Sequence, residues 1–319
     1  MEITERCNSS CAFCHQDFGQ HRGGHGVDTS LGLYWIRWAA DQGIRFIRFT
    51  GGEPTLHPGL EHFCRVAWDH GLKIIINTNG LASFSILKRI SRWVHTLKVS
   101  LPSPHGKISD STTGSRNSLR RKLDTMALAL ESAIQVEALT AMIPQNVGIV
   151  TDFLELLANF PGVTWVPLRI ESSAKNPRPI TRNQMQRLAE EFDALRNRFL
   201  GVPKLRLATP FCSVEPPELG ARVFSGRVQD CGPFKSLTVN VDGRLMSCYS
   251  CRTPIQRAAS LDAVFTDPEV IRLTCKKSLP VWCQQCGFAD QCMGGCASPY
   301  AAEVRDGELV DYLSRPMEG

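Results

Sequence analysis

No run of the 319-residue chain approaches the roughly eighteen consecutive apolar residues that a membrane-spanning helix needs. Nor does the start, MEITERC, carry the charged and apolar regions of a secretory signal. A cytoplasmic location with no membrane partner is therefore expected. Internal repeats and low-complexity tracts are absent, which excludes repeat arrays and compositionally biased tails. An excess of one charge is also missing. The formal net charge of +5 is modest and dispersed. Short clusters such as Arg120, Arg121 and Lys122 read as a solvated helix face, and a nucleic-acid partner is not expected.

What the chain does have is 43% hydrophobic residues, enough for a sizeable core, and thirteen cysteines. The cysteine count is odd and the spacings are clustered. In a reducing compartment that pattern points to metal ligation or redox chemistry rather than disulfides.

Up to about residue 200, short apolar runs alternate with longer amphipathic ones, the pattern of repeated βα units. Strands are expected at 44–50, 72–79, 95–101, 134–143 and 163–170, with a short first strand at the N-terminus. Helices are expected near 29–42, 57–70, 83–92, 118–132, 150–160 and 181–199. About six units give an α/β fold with a parallel sheet, fewer than the eight of a closed barrel, so a partial (β/α)6 barrel is expected. The proline-rich stretch from residue 201 breaks the rhythm. It places a junction between an N-terminal domain at 1–203 and a small cysteine-rich domain at 204–319. There SLTVNVDGRLMSC, 236–248, reads as a hairpin turning at Asp242-Gly243.

Cys7, Cys11 and Cys14 form C-x3-C-x2-C in "RCNSSCAFCHQDFG", on a loop at the carboxyl end of the first strand, where parallel α/β folds place their sites. Three thiols leave one metal position open. Zinc completed by His15 is the plain alternative, at the cost of strain between adjacent ligands. Cys64 falls inside an amphipathic helix pattern and reads as core packing.

This loop, with Phe13 before the last cysteine, resembles the hallmark of the radical S-adenosylmethionine (SAM) enzymes. Gly51-Gly52-Glu53-Pro54, following a strand, resembles the segment of that family that receives the methionyl amino group of SAM. Glycines admit close approach, the carboxylate favours an ammonium, and proline stiffens the exit. Asn77, Thr78 and Asn79 in the family-like "TNG", and Ser100 at the next strand end, extend the implied SAM site. The resemblance implies a [4Fe–4S] cluster on Cys7, Cys11 and Cys14 whose open iron chelates SAM. It also implies reductive cleavage to a 5'-deoxyadenosyl radical, and an external electron donor such as flavodoxin or ferredoxin.

The tail resembles the SPASM domain, which holds auxiliary iron–sulfur clusters. Cys231, Gly243 and Cys248 match C-x9-15-G-x4-C, and Cys283, Cys286, Cys292 and Cys296 match C-x2-C-x5-C-x3-C. The further cysteine expected after the second element is absent, since none follows Cys296. Either Cys212, Cys251 or Cys275 substitutes and two auxiliary [4Fe–4S] clusters form, or one forms and some thiols stay unligated. Cys251 is then a candidate hydrogen-atom donor, with a cluster ligand or an inert thiol as its alternatives.

Because the chain starts just before its cluster loop, the expected substrate is a small natural product of sugar, aminoglycoside or nucleoside type. The expected reaction is epimerisation quenched by a thiol, or dehydrogenation. The alternative substrate is a ribosomal precursor peptide, epimerised or crosslinked. An alternative of another class is a non-catalytic iron–sulfur or zinc scaffold.

Overall fold

The computed structural model describes the chain outside residues 15, 17–23, 171, 173–178, 199–200, 231–234, 251, 298–301, 306–307 and 315–319. Cys231, Cys251 and His15 lie outside the described residues.

Six strands form one sheet in sequence order: β1 (Glu2–Thr4), β2 (Phe46–Gly51), β3 (Lys73–Thr78), β4 (Val94–Ser100), β5 (Gln135–Met142) and β6 (Val163–Arg169). The sheet is parallel and open, with β1 and β6 at its edges, as expected of a partial (β/α)6 arrangement. The crossovers are α1 (Thr29–Asp41), α2 (Leu60–Asp69), α3 (Phe84–Ile90), α4 (Gly106–Thr113), α5 (Ser118–Glu131) and α6 (Val150–Ala158). Asp28 caps α1 by accepting from the Ser30 amide at 2.8 Å, and Ser83 caps α3 from the Ser85 amide at 3.3 Å. The sequence pattern does not predict α4. Its GKISDSTT composition is poor in helix formers, and the packing of Ser109, Thr112 and Thr113, all buried, sustains it.

The strands alternate in burial. Ile47 and Phe49, Ile74 and Ile76, Leu97 and Val99, and Val136 and Ala138 are buried and form the core face. The other face carries a polar row, because register pairs Asn77 with Lys98 and Lys98 with Glu137. Lys98 Nζ stands 2.5 Å from Glu137 Oε2.

Packing divides the chain into two compact units. The first is Met1–Thr140, Phe153–Trp165 and Thr238–Leu245; the second is Ala141–Asp152, Val166–Leu237 and Met246–Gly319. In the first unit Gly243, at φ +77°, closes the expected turn, and its carbonyl accepts from Trp35 Nε1 at 3.0 Å. This turn lies between the two-residue strands β7 (Thr238–Val239) and β8 (Leu245–Met246). The second unit holds α7 (Arg182–Arg198) and short helices: α8 (Pro217–Val223), α9 (Arg227–Asp230), α10 (Leu261–Phe265), α11 (Pro268–Thr274), α12 (Val281–Gln284) and α13 (Ala289–Cys292). It ends in an antiparallel pair, β9 (Ala302–Arg305) and β10 (Glu308–Asp311). Buried in that unit, Arg169 grips Asp311 with both guanidinium nitrogens, at 2.6 and 2.9 Å. No helix among the described residues is long and apolar enough to cross a membrane.

Candidate functional site

The C-x3-C-x2-C loop leaves β1 and is held at three places. At its base the chain pairs with its own return, Glu5 N donating to His25 O and Val27 N to Ile3 O, each at 2.9 Å. His57 fastens the return: its Nδ1 accepts from the Gly59 amide at 3.0 Å, so Nε2–H donates to Val27 O at 3.2 Å. Along its length the loop meets the last turn of α4, whose open carbonyls take the amides of Ser10 (Thr113 O, 3.1 Å) and Ala12 (Thr112 O, 2.9 Å). At the end of β3, Asn79 Nδ2 lies 2.6 Å from Asn8 Oδ1 and 3.9 Å from Cys7 Sγ.

Gly51 and Gly52 have a structural reason besides any ligand. A Cβ at Gly51 would stand 2.2 Å from Thr4 O and one at Gly52 2.3 Å from Arg6 O, so the end of β2 can lie against the start of the cysteine loop. Gly52 N donates to Thr4 O at 2.7 Å and Glu53 N to Arg6 O at 2.8 Å. Pro54, buried, opens a short 3-10 turn.

Glu53 is fully buried, and its carboxylate is already engaged. Oε1 accepts from Thr55 N (3.1 Å), Thr55 Oγ1 (2.6 Å) and Thr78 Oγ1 (2.9 Å), and Oε2 accepts from Asn79 N (2.7 Å). Burial pushes its pKa up, and these bonds oppose the shift. The side chain thus ties the GGEP and TNG segments together, a different use from the ammonium contact the sequence alone points to. Asn77 Oδ1 is buried with no partner among the described residues. Ser100, half-buried, ends the neighbouring strand.

Cys7, Cys11 and Cys14 are half-buried and influence one another electrostatically. Burial raises the pKa of Cys7 and pushes that of Cys11 up to about 12, the latter opposed by Lys122. Thiolates form in such a place when a metal supplies compensating charge, so the donor set fits an iron–sulfur group. Among the described residues no three His, Cys, Asp or Glu side chains converge as a single-ion site such as zinc requires.

Lys122 corrects the sequence reading. It is fully buried instead of lying on a solvated helix face, and its Nζ donates to Asn79 O. Its place was legible: Ser118, Lys122, Thr125, Met126 and Ala129 form the buried stripe of α5 at helical spacing. Cys64 is buried in α2, as expected. In the second unit, Cys212 joins Cys283, Cys286 and Cys292 in lining one cavity; spacing grouped the last three, and left Cys212 as one of three candidate substitutes.

The sequence profile of the radical SAM superfamily matches residues 1–157. Over 342 aligned residues the chain is 22% identical to the PqqA peptide cyclase of Rhodopseudomonas palustris, covering 98% of this chain and 84% of that enzyme. It is 32% identical over 168 residues to the GTP 3',8-cyclase of Geobacter sulfurreducens, an overlap of 50% of this chain and 51% of that one. The fold matches that of Streptococcus suis SuiB bound to the precursor peptide SuiA, with a TM-score of 0.72 at 16% identity over 98% of this chain and 74% of that one. Residues 1–157 are a radical SAM domain. The chain is an enzyme whose cofactors are a [4Fe–4S] cluster and SAM.

Proposed function

We propose that this enzyme modifies a peptide, by crosslinking or epimerisation, with Cys7, Cys11 and Cys14 holding the cluster that binds SAM. The observation that carries the choice of substrate is the end-to-end match: PqqA peptide cyclase aligns with 98% of this chain. SuiB, bound to its precursor peptide, has the same fold. Together they favour the peptide over the small natural product that the sequence led us to expect.

When bound, the cluster and SAM would supply radical hydrogen-atom abstraction, with flavodoxin or ferredoxin as the proposed electron source. The chain's own part is to hold, orient and exclude water. Asn77 Oδ1, with no partner among the described residues, offers an acceptor near the end of β3. Gly51, Gly52, Glu53, Pro54, Thr78 and Asn79 shape the backbone around it. In the tail, Cys231, Cys248, Cys283, Cys286, Cys292 and Cys296 are the proposed auxiliary-cluster ligands. Cys251 remains the proposed hydrogen donor for an epimerisation.

Anaerobic reconstitution followed by SAM and dithionite should yield 5'-deoxyadenosine, and the triple variant Cys7→Ala, Cys11→Ala, Cys14→Ala should yield none. An iron-loaded wild type that forms none would leave the scaffold reading standing. A short peptide encoded beside the gene should lose two hydrogens on crosslinking, or take up deuterium from deuterated water on inversion. A nucleotide is the second reading, favoured by the 32% identity to GTP 3',8-cyclase. Turnover of GTP with the peptide left unchanged would reverse the choice.

A further inference from the structure

We infer that Cys212 is the fourth thiolate of an auxiliary iron–sulfur cluster held with Cys283, Cys286 and Cys292. The inference rests on the proposed cluster-bearing tail and goes beyond it by naming a fourth ligand from outside the C-x2-C-x5-C-x3-C element.

Sequence spacing groups Cys283, Cys286, Cys292 and Cys296 together, and the first three of these share one cavity with Cys212. One cavity is lined, among others, by the thiol-bearing residues Cys212, Cys283, Cys286 and Cys292, and not by Cys296 or Cys275. Cys296 enters through its backbone, its amide donating to Asp311 Oδ2 at 2.7 Å.

Cys212 reaches the cavity on the short turn Phe211–Ser213. Phe211 is buried and sets its ring edge-on to Phe288, with centroids 5.8 Å apart. Phe288 in turn directs its amide to Cys286 Sγ at 3.4 Å. Backbone hydrogen bonds from Phe211, Gly294 and Gly295 point at Cys292. The residue next to Cys212 therefore serves a second thiol of the same cavity. Such N–H···S bonds favour sulfur in its anionic, metal-bound form. Cys283 lies within electrostatic reach of Cys212, Cys292 and Cys286. Four protein thiolates close the cluster. It has no open iron for substrate, in contrast to the three-thiol loop.

The test uses the full chain carrying Cys7→Ala, Cys11→Ala and Cys14→Ala, so that all cluster iron measured after anaerobic reconstitution is auxiliary. Adding Cys212→Ala should lower bound iron by roughly four per chain, one cube, with matching loss of sulfide and of Mössbauer intensity. Adding Cys275→Ala should leave all three unchanged. Unchanged iron in the Cys212→Ala protein, equal loss in the Cys275→Ala protein, or no iron in the parent would each overturn the assignment. Should Cys212→Ala fail to fold by circular dichroism, Cys212→Ser decides. An altered electron paramagnetic resonance signal supports ligation, and an unaltered one refutes it. 5'-Deoxyadenosine formation by protein with the intact N-terminal triad is scored separately, so failure here is distinct from failure of the radical SAM reading.

Discussion

Lys122 donates from its ammonium to the backbone carbonyl of Asn79, with its whole side chain buried. Burial lowers its pKa to about 8, and the thiol of Cys11 and the carboxylate of Glu53 oppose the shift. At neutral pH the group is mostly charged. A fixed positive charge thus stands beside the candidate cluster ligands, where it costs desolvation and is compensated by anions.

Replacing Lys122→Met should make the N-terminal cluster harder to reduce, because a nearby cation favours the added electron. For charges several ångströms apart at an effective dielectric near 20, the effect is about 2–4 kcal/mol, or on the order of 100 mV for one electron. A redox titration followed by electron paramagnetic resonance reads the shift. Lys122→Arg should recover part of it, whereas a role in packing alone would leave the potential where it was.

Glu53 accepts four hydrogen bonds from Thr55, Thr78 and Asn79. Glu53→Gln turns one acceptor into a donor facing other donors and should cost about 1–3 kcal/mol of stability. Denaturant unfolding measures that loss. SAM affinity, measured by calorimetry on reconstituted protein, should fall with it, because the two strand ends lose their common tie.

Arg169 and Asp311 form a buried bidentate pair. Arg169→Met alone should destabilise by about 3–5 kcal/mol, since it strands the carboxylate. The double variant Arg169→Met, Asp311→Leu should be the more stable of the two in chemical denaturation. A double variant as unstable as the single would show that the guanidinium matters for more than neutralising Asp311.

His57 has its pKa lowered, first by burial, with the Val27 carbonyl opposing and Arg6 adding to it. The unfolded chain therefore binds the proton more readily than the folded one. The stability this contributes is complete above the unfolded value of about 6.5. It is lost as pH falls from there through the folded value. His57→Gln should show a smaller drop in melting temperature between pH 7.5 and pH 5.5 than wild type. An equal drop would remove His57 from the acid response.

Much of the barrel was legible because a parallel α/β sheet writes itself in local periodicity. The apolar runs at 44–50, 72–79 and 95–101 match β2, β3 and β4 within a few residues. α4 was not legible, because buried hydroxyls and neighbours sustain it against weak propensity. The β9–β10 pair also went unpredicted.

By itself the sequence determined the radical SAM resemblance, since three thiols at C-x3-C-x2-C and a strand ending in GGEP are local features that folding does not rearrange. Tertiary structure decided the roles those features cannot announce. Glu53 turned inward to bind Thr78 and Asn79, and Lys122 left an apparently solvated cluster for the interior. Cys212 came to share a cavity with thiols more than seventy residues away. Spacing reports neighbours along the chain, whereas ligand sets and buried charges depend on which distant segments close the space around them.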